Sequence, residues 1–140
     1  MEFYQMSLFN KILVRNIEKA EKWYLHTLGF QSVFKFRNEE NEVTMNHLRL
    51  MKYQDIILIQ SDDFISGNGC YINILVEDIE TIANSISEKY ILQPLEQMPW
   101  NAMEITIVDP DGYQITLMES NIRNEDFEKL MDNVSKNIEY

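Results

Sequence analysis

Thiol chemistry has almost nothing to work with in this chain, because one residue of the 140 is cysteine. Cys70 alone can form neither an internal disulfide nor a multi-thiolate zinc site, and a lone thiol fits a reducing compartment. Long apolar runs are missing as well. The longest unbroken aliphatic stretch is Ile56 to Ile59, far short of the ~20 residues a membrane span needs. Glu2 stands where a signal peptide would carry basic residues, so the chain reads as neither spanning nor secreted, and the expected location is the cytoplasm. Basic charge is scarce. Twelve Lys and Arg against 23 Asp and Glu give a formal charge of −11, which repels phosphate backbones and anionic headgroups. Nucleic acid and membrane are therefore not expected partners, and the acidity reads first as a solubilising surface. There is no Gly-rich phosphate loop, no Gly-x-Ser-x-Gly elbow and no His-Glu-x-x-His motif, which removes the usual signatures of nucleotide, serine-hydrolase and zinc-protease chemistry.

What the chain does have is 45% hydrophobic residues, enough for one core, since a domain of this size buries roughly two-thirds of its unfolded surface. It also has an internal repeat. Residues 9–18 match residues 71–80 at an offset of 62, with five of ten pairs identical. Tyr53-Gln54 matches Tyr113-Gln114, and after Asp55 is set aside as an insertion, residues 56–61 match 115–120. A repeated supersecondary unit is the simplest source of such a pattern.

Each copy opens with a strand of period 2. Ile12 and Val14 share one face with Asn10; Phe9, Lys11, Leu13 and Arg15 share the other. In the second copy Ile72, Ile74 and Val76 oppose Tyr71, Asn73, Leu75 and Glu77. Asn16 and Asp78 are N-cap candidates for the helices that follow. The helical stripes are Ile17, Ala20, Tyr24 and Leu28, then Ile79, Ile82, Ala83 and Ile86. Burial of each aliphatic residue contributes on the order of 1.5–3 kcal/mol, so the helices are expected on the Ile12/Val14 and Ile74/Val76 faces. Gly29 suits the left-handed position after the first helix. Three strands are predicted in the first half over 30–37, 44–53 and 56–61, and three in the second over 91–97, 101–108 and 113–119. Asp109-Pro110-Asp111-Gly112 is a strong turn signal before the last. A single domain is expected: module 1 over about 8–61, a linker at 62–69, module 2 over about 70–120. A terminal helix over about 124–136, capped near Asn124, carries Phe127, Leu130, Met131 and Val134 at helical spacing and is expected to pack on the domain or on a second subunit.

The duplicated βαβββ unit, Trp23-Tyr24 ahead of Leu28-Gly29-Phe30, Asp109-Pro110-Asp111-Gly112-Tyr113, and Pro99-Trp100 nine residues before Asp109 together resemble the glyoxalase / bleomycin-resistance / extradiol-dioxygenase (vicinal oxygen chelate) superfamily, although Asn101 stands where the bleomycin-resistance-like branch has glycine. The resemblance covers roughly residues 8 to 120. It implies an α+β fold: two tandem βαβββ modules forming curved mixed sheets around a cup, plus the C-terminal helix. It also implies a frequent dimer, with halves paired within or across chains. Catalytic members hold a divalent ion with a His in each half's first strand and a Glu in each half's last. Here those positions map onto Phe9, Tyr71, Thr116 and Ile57, or Ile59 if the register moves by two. None is a usual ligand for an ion that acts as a Lewis acid. The resemblance therefore implies no metal, no cofactor and no metal-dependent catalysis. The two histidines are His26, on the helix side, and His47, for which a cluster with Glu104 and Glu119 is conceivable.

The lining that strand parity assigns to such a cup is Phe9, Lys11, Leu13 and Arg15, with Tyr71, Asn73, Leu75 and Glu77, then Gln114, Thr116 and Met118, and Trp100 near the rim. Aromatic walls with a few polar groups suit a small molecule. The alternative is that Phe9 and Tyr71 plug the hollow. The leading expectation is a metal-free protein that binds an aromatic or amphipathic small molecule in a cup formed with a partner subunit, a homodimer able to protect by sequestration. The competing readings are a lyase, epimerase or dioxygenase-type enzyme using Glu77, Glu104, Tyr71 or His47 as acid or base, and a structural or regulatory dimer without ligand.

Overall fold

Period-2 alternation in the first strand places Ile12 and Val14 under a helix, and a computed structural model of the chain, which describes residues 3–67, 69–121 and 124–137, shows both of them buried. β1 (Asn10–Val14) leads into α1 (Ile17–Trp23), whose N-cap Asn16 accepts the Lys19 N–H at 3.0 Å. The helix then widens into a π-helical turn, Tyr24–Leu28, and stops at Gly29. There φ is +81°, a value that costs an L side chain but not glycine, and the Phe30 N–H reaches back to the Tyr24 carbonyl at 3.2 Å. β2 (Gln31–Arg37), β3 (Val43–Arg49) and β4 (Asp55–Gln60) complete the first unit.

The second unit repeats this order: β5 (Tyr71–Leu75), α2 (Ile79–Ser85), a short 3-10 turn (Glu88–Tyr90), β6 (Ile91–Met98), β7 (Ala102–Val108) and β8 (Gln114–Ser120). Asp78 does not cap α2 with its side chain as the sequence suggests. Its backbone is left-handed at φ +55°, and its N–H is taken by Glu119 Oε1 at 2.8 Å. α2 also ends before Ile86, which stays buried from an extended segment. The predicted strand over 44–53 stops at Arg49, because residues 50–54 form the turn into β4 and Tyr53 sits at φ +66°.

Each unit makes a four-stranded mixed sheet, in the orders β1-β4-β3-β2 and β5-β8-β7-β6. β1 runs parallel to β4 and β5 parallel to β8; the remaining neighbours are antiparallel. Registers pair Ile12 with Leu58 and Ile74 with Leu117 on the helix-facing sides, and the rung in sheet 1 continues to the buried amide of Asn46. Those two apolar pairs, with Trp23, Tyr24, Phe30, Leu48, Ile79, Ile105 and Ile107, form one continuous buried cluster spanning both units.

The units are also tied by polar contacts. Tyr24 Oη donates to Asp109 Oδ2 at 2.7 Å, and the Trp23 and Tyr90 rings meet edge to face at 5.4 Å. Tyr113 Oη accepts the Leu13 N–H at 3.0 Å and donates to the Leu13 carbonyl at 2.8 Å, while Gln54 Nε2 donates to the Leu75 carbonyl at 2.8 Å. α3 (Asn124–Lys136) follows β8. Leu130, Met131 and Val134 are each about half exposed on it. The side chains of Asn124 and Phe127, the expected cap and the first stripe residue, lie outside the described residues.

Candidate functional site

The strand registers divide each sheet into a helix-facing side and an open side, and the open sides carry the polar and aromatic residues. On sheet 1 a rung crosses Lys11, Ile57, His47 and Phe34; the next crosses Leu13, Ile59, Met45 and Phe36. On sheet 2 the matching rungs cross Tyr71, Gln114 and Val108, then Asn73, Thr116, Thr106 and Gln93, then Leu75, Met118 and Glu104. Strand parity thus places Lys11, Leu13, Tyr71, Asn73, Leu75, Gln114, Thr116 and Met118 together on the faces turned away from the helices.

Sheet 2 holds a recess of about 380 Å³ on this side, lined by Tyr71, Asn73, Met98, Trp100, Glu104 and Thr116 among others. Trp100 stands over it from the β6–β7 turn, 60% exposed, with its Nε1–H directed at Glu104 Oε1 at 3.3 Å. Thr106 and Thr116 share a hydrogen bond of 2.8 Å in its floor. The Gln114 Oε1 is buried without a partner among the described residues. An unpaired buried amide oxygen is costly unless something donates to it.

Other expected residues go elsewhere. Arg15 lies beyond β1 and turns to the other unit, where its guanidinium meets Asp111 Oδ1 at 3.3 Å and the Phe64 ring at 4.5 Å. Glu77 is exposed beyond the end of β5. Phe9 precedes β1 and lines a seam cavity of about 160 Å³ with Leu8, Tyr53, Gln54 and Asn73. His26 is exposed on the π-helical turn. His47, Glu104 and Glu119 are not brought together: His47 lies on sheet 1, Glu104 under Trp100, and Glu119 on the Asp78 N–H.

The residues at the resemblance's metal positions do not fit a metal. Phe9, Ile57 or Ile59, Tyr71 and Thr116 offer no imidazole and no carboxylate, and the Thr116 hydroxyl is engaged by Thr106. Among the described residues no three His, Cys, Asp or Glu side chains gather where an ion would sit.

Sequence reading missed a polar cluster centred on Asp55, treated there as a turn insertion. In the structure it opens β4, is 5% exposed and faces the open side. His47 Nε2 and Arg49 Nε both lie 2.7 Å from its Oδ1, and the Tyr4 hydroxyl donates to its Oδ2. The Arg49 guanidinium lies 4.1 Å from the Tyr4 ring centroid, and the Tyr53 N–H donates to Tyr4 Oη at 2.7 Å. Burial pushes the Asp55 carboxyl up, but the hydrogen bonds from Tyr4, His47 and Arg49 outweigh it and hold the group below its ordinary value. The signal was present in the alternation of His47 and Arg49, which puts both on one face of β3 beside a hairpin partner that begins with an acid.

Three comparisons bear on this arrangement. The family model for the Glyoxalase/Bleomycin resistance protein/Dioxygenase superfamily matches residues 7–117, ending before α3. The chain is similar in structure to a member of that superfamily from Sphaerobacter thermophilus DSM 20745, with 28% identity, a TM-score of 0.65, and coverage of 80% of this chain and 94% of that one. It is also similar to TioX from Micromonospora sp. ML1 (14% identity, TM-score 0.66, coverage 80% and 96%). A third likeness is to TnmS3, an antibiotic binding protein from Streptomyces sp. CB03234 (16% identity, TM-score 0.66, coverage 86% and 99%). No curated protein sequence matches the chain.

Proposed function

Because the chain belongs to the glyoxalase/bleomycin resistance protein/dioxygenase superfamily, we propose that it binds an aromatic or amphipathic small molecule on the open sides of its sheets, without a metal, and acts by holding that molecule rather than converting it. The observation that carries this reading is the recess on sheet 2, where Tyr71 and Trp100 stand more than half exposed around the amide and hydroxyl groups of Asn73, Thr106 and Thr116. Exposed rings supply affinity by burial, and a few fixed polar atoms supply orientation. A donor set without imidazole or carboxylate at the family's metal positions supports binding over metal-assisted chemistry. TnmS3, an antibiotic binding protein of the same fold, offers a precedent for the role.

The second wall of the cup is assigned to a second copy of this chain. The open side of sheet 1 exposes Phe34 and Phe36, each more than half, as the open side of sheet 2 exposes Tyr71 and Leu75. Residues 8–61 carry eight Lys or Arg against six Asp or Glu, whereas residues 62–121 carry one against eleven. Opposite charge on the two halves favours a head-to-tail pair in which the first unit of one protomer faces the second unit of the other. The exposed, unpaired Cys70 suits a reducing compartment, and the cytoplasm is the proposed location.

Thermal-shift screening against cationic and anionic aromatic compounds, with Trp100 fluorescence as a second signal, tests the reading. A ligand present at a hundred times its Kd stabilises the fold by ~2.7 kcal/mol. Absence of any response across a broad aromatic library would refute small-molecule binding. A stoichiometric divalent ion in the purified protein would overturn the metal-free part.

A further inference from the structure

The cluster around Asp55 holds one imidazole in place on the open side of sheet 1. Arg49 and Tyr4 direct hydrogen-bond donors at the Asp55 carboxylate, which is thereby kept as an acceptor. The hydrogen bond between His47 and that carboxylate is then donated by Nε2–H, so whenever the ring carries a single proton Nδ1 is its lone-pair atom. Nδ1 has no protein partner among the described residues, is not among the enclosed polar atoms, and belongs to a side chain that keeps 13% of its surface open.

The neighbours of this acceptor are equally specific. Phe34 is the direct register partner of His47 on β2, and its ring meets Phe36 edge to face at 4.6 Å. Both rings are more than half exposed. A planar ring lying on this pair would have its edge one strand spacing, roughly 4.8 Å, from the imidazole. Lys11 lies on the same rung two strands from His47, roughly 10 Å away. The charged or titratable groups around the imidazole are thus Asp55 on β4, Arg49 on its own strand, Tyr4 from the N-terminal segment and Lys11 on β1.

We propose that His47, oriented by Asp55, accepts the proton of an acidic hydroxyl, phenol or enol, on a ligand whose ring lies against Phe34 and Phe36. The proposal rests on the small-molecule reading above and names the ligand class for the sheet 1 wall of the same cup. The ligand O–H bond breaks and an Nδ1–H bond forms. The electron pair stays on the ligand oxygen, and the new imidazolium is held by the Asp55 carboxylate.

The test uses the full chain with two probes that differ at one atom group, 4-nitrophenol and 4-nitroanisole. The wild type is expected to bind the phenol about tenfold tighter or more, the scale of a charge-assisted hydrogen bond. The bound phenol is expected to show the visible absorbance of its phenolate in buffer acidic enough to keep the free compound protonated. His47→Gln is expected to abolish the preference and the phenolate band while leaving nitroanisole affinity unchanged. Equal binding of both probes by the wild type, or a preference that survives in His47→Gln, overturns the proposal and leaves the cup reading standing. Binding of neither probe overturns the proposal, and the library screen then decides the cup reading by itself. If His47→Gln fails to fold, the wild-type comparison and the phenolate band decide the matter alone.

Discussion

Replacing Tyr24 by Phe removes one oxygen from the middle of the molecule and interrogates the contact between the two units. Tyr24 is 1% exposed, and its hydroxyl donates to Asp109 Oδ2 at 2.7 Å. Asp109 is 3% exposed and receives two further donors, the N–H groups of Asp111 and Tyr113, at 3.0 and 2.8 Å on Oδ1. The substitution therefore leaves a buried carboxylate with one oxygen unserved. A hydrogen bond to a charged group contributes about 1.5–3 kcal/mol, and the orphaned acceptor puts the expected loss at the upper end, about 2–3 kcal/mol. For a chain of this length an unfolding entropy near 2.1 cal/mol/K per residue converts each kcal/mol into about 3 °C, so the expected drop in Tm is roughly 6–9 °C at equal protein concentration.

The same contact gives the loss a pH dependence. Burial pushes the Asp109 carboxyl up, and the Tyr24 hydroxyl is the strongest of the contacts pulling it back. Without the phenol the folded-state value rises further, so the variant takes up a proton at higher pH than the wild type. Above both values the full difference is expressed. Below them the carboxyl is neutral in both proteins, and only a neutral hydrogen bond, about 1 kcal/mol, separates them. Calorimetry across a pH series measures this directly. A Tm within ~2 °C of wild type at neutral pH, or a gap that widens on acidification, would refute the assignment of this bond as a buried charged contact.

Three further outcomes follow from the geometry. Gly112→Ala is expected to destabilise by about 1–3 kcal/mol, because φ there is +94° and a Cβ would lie 2.7 Å from Ser66 Oγ; Gly67→Ala, with no atom within 4 Å, is expected to stay within ~0.5 kcal/mol, both read by urea titration. Asp55→Asn is expected to cost on the order of 3 kcal/mol at neutral pH, since it removes a buried negative charge that Arg49, His47 and Tyr4 all address. The Asp55 carboxyl is held below its unfolded value, so its contribution is present above about pH 3.9 and lost as the pH falls through the lower folded value; a deficit in Asp55→Asn that persists at strongly acidic pH would contradict this. Ending the chain at Asn121 is expected to leave Tm within ~2 °C, because the apolar residues of α3 stand about half exposed in the single chain; a larger loss measured in dilute protein would show that α3 packs on the sheets.

The repeat made the fold readable, since five identical pairs in ten and the alternation around Ile12/Val14 and Ile74/Val76 specify strand, helix and burial face together. Parity carried over to the open sides for the same reason: a period of two leaves no freedom once the helix face is known. It failed where side chains meet partners distant in sequence, a relation that no local pattern encodes. Arg15 follows the parity of β1 in sequence, yet β1 ends at Val14 and the guanidinium swings to Asp111. Asp78 has the composition of a cap, but its backbone is left-handed, its side chain makes no capping bond, and its own N–H is donated to Glu119 on β8. Asp55 was hidden by the alignment itself, because the residue that breaks the repeat is the one around which His47, Arg49 and Tyr4 gather.

The reciprocal bonds from Tyr113 to Leu13 and from Gln54 to Leu75 fall on the two strands that end their sheets on the inner side. An end strand offers an unsatisfied row of amides and carbonyls, a template for unwanted pairing. Here each half lends the other a side chain that closes part of that row, so neither half is finished without its twin. Cut apart, each would be left with an adhesive border.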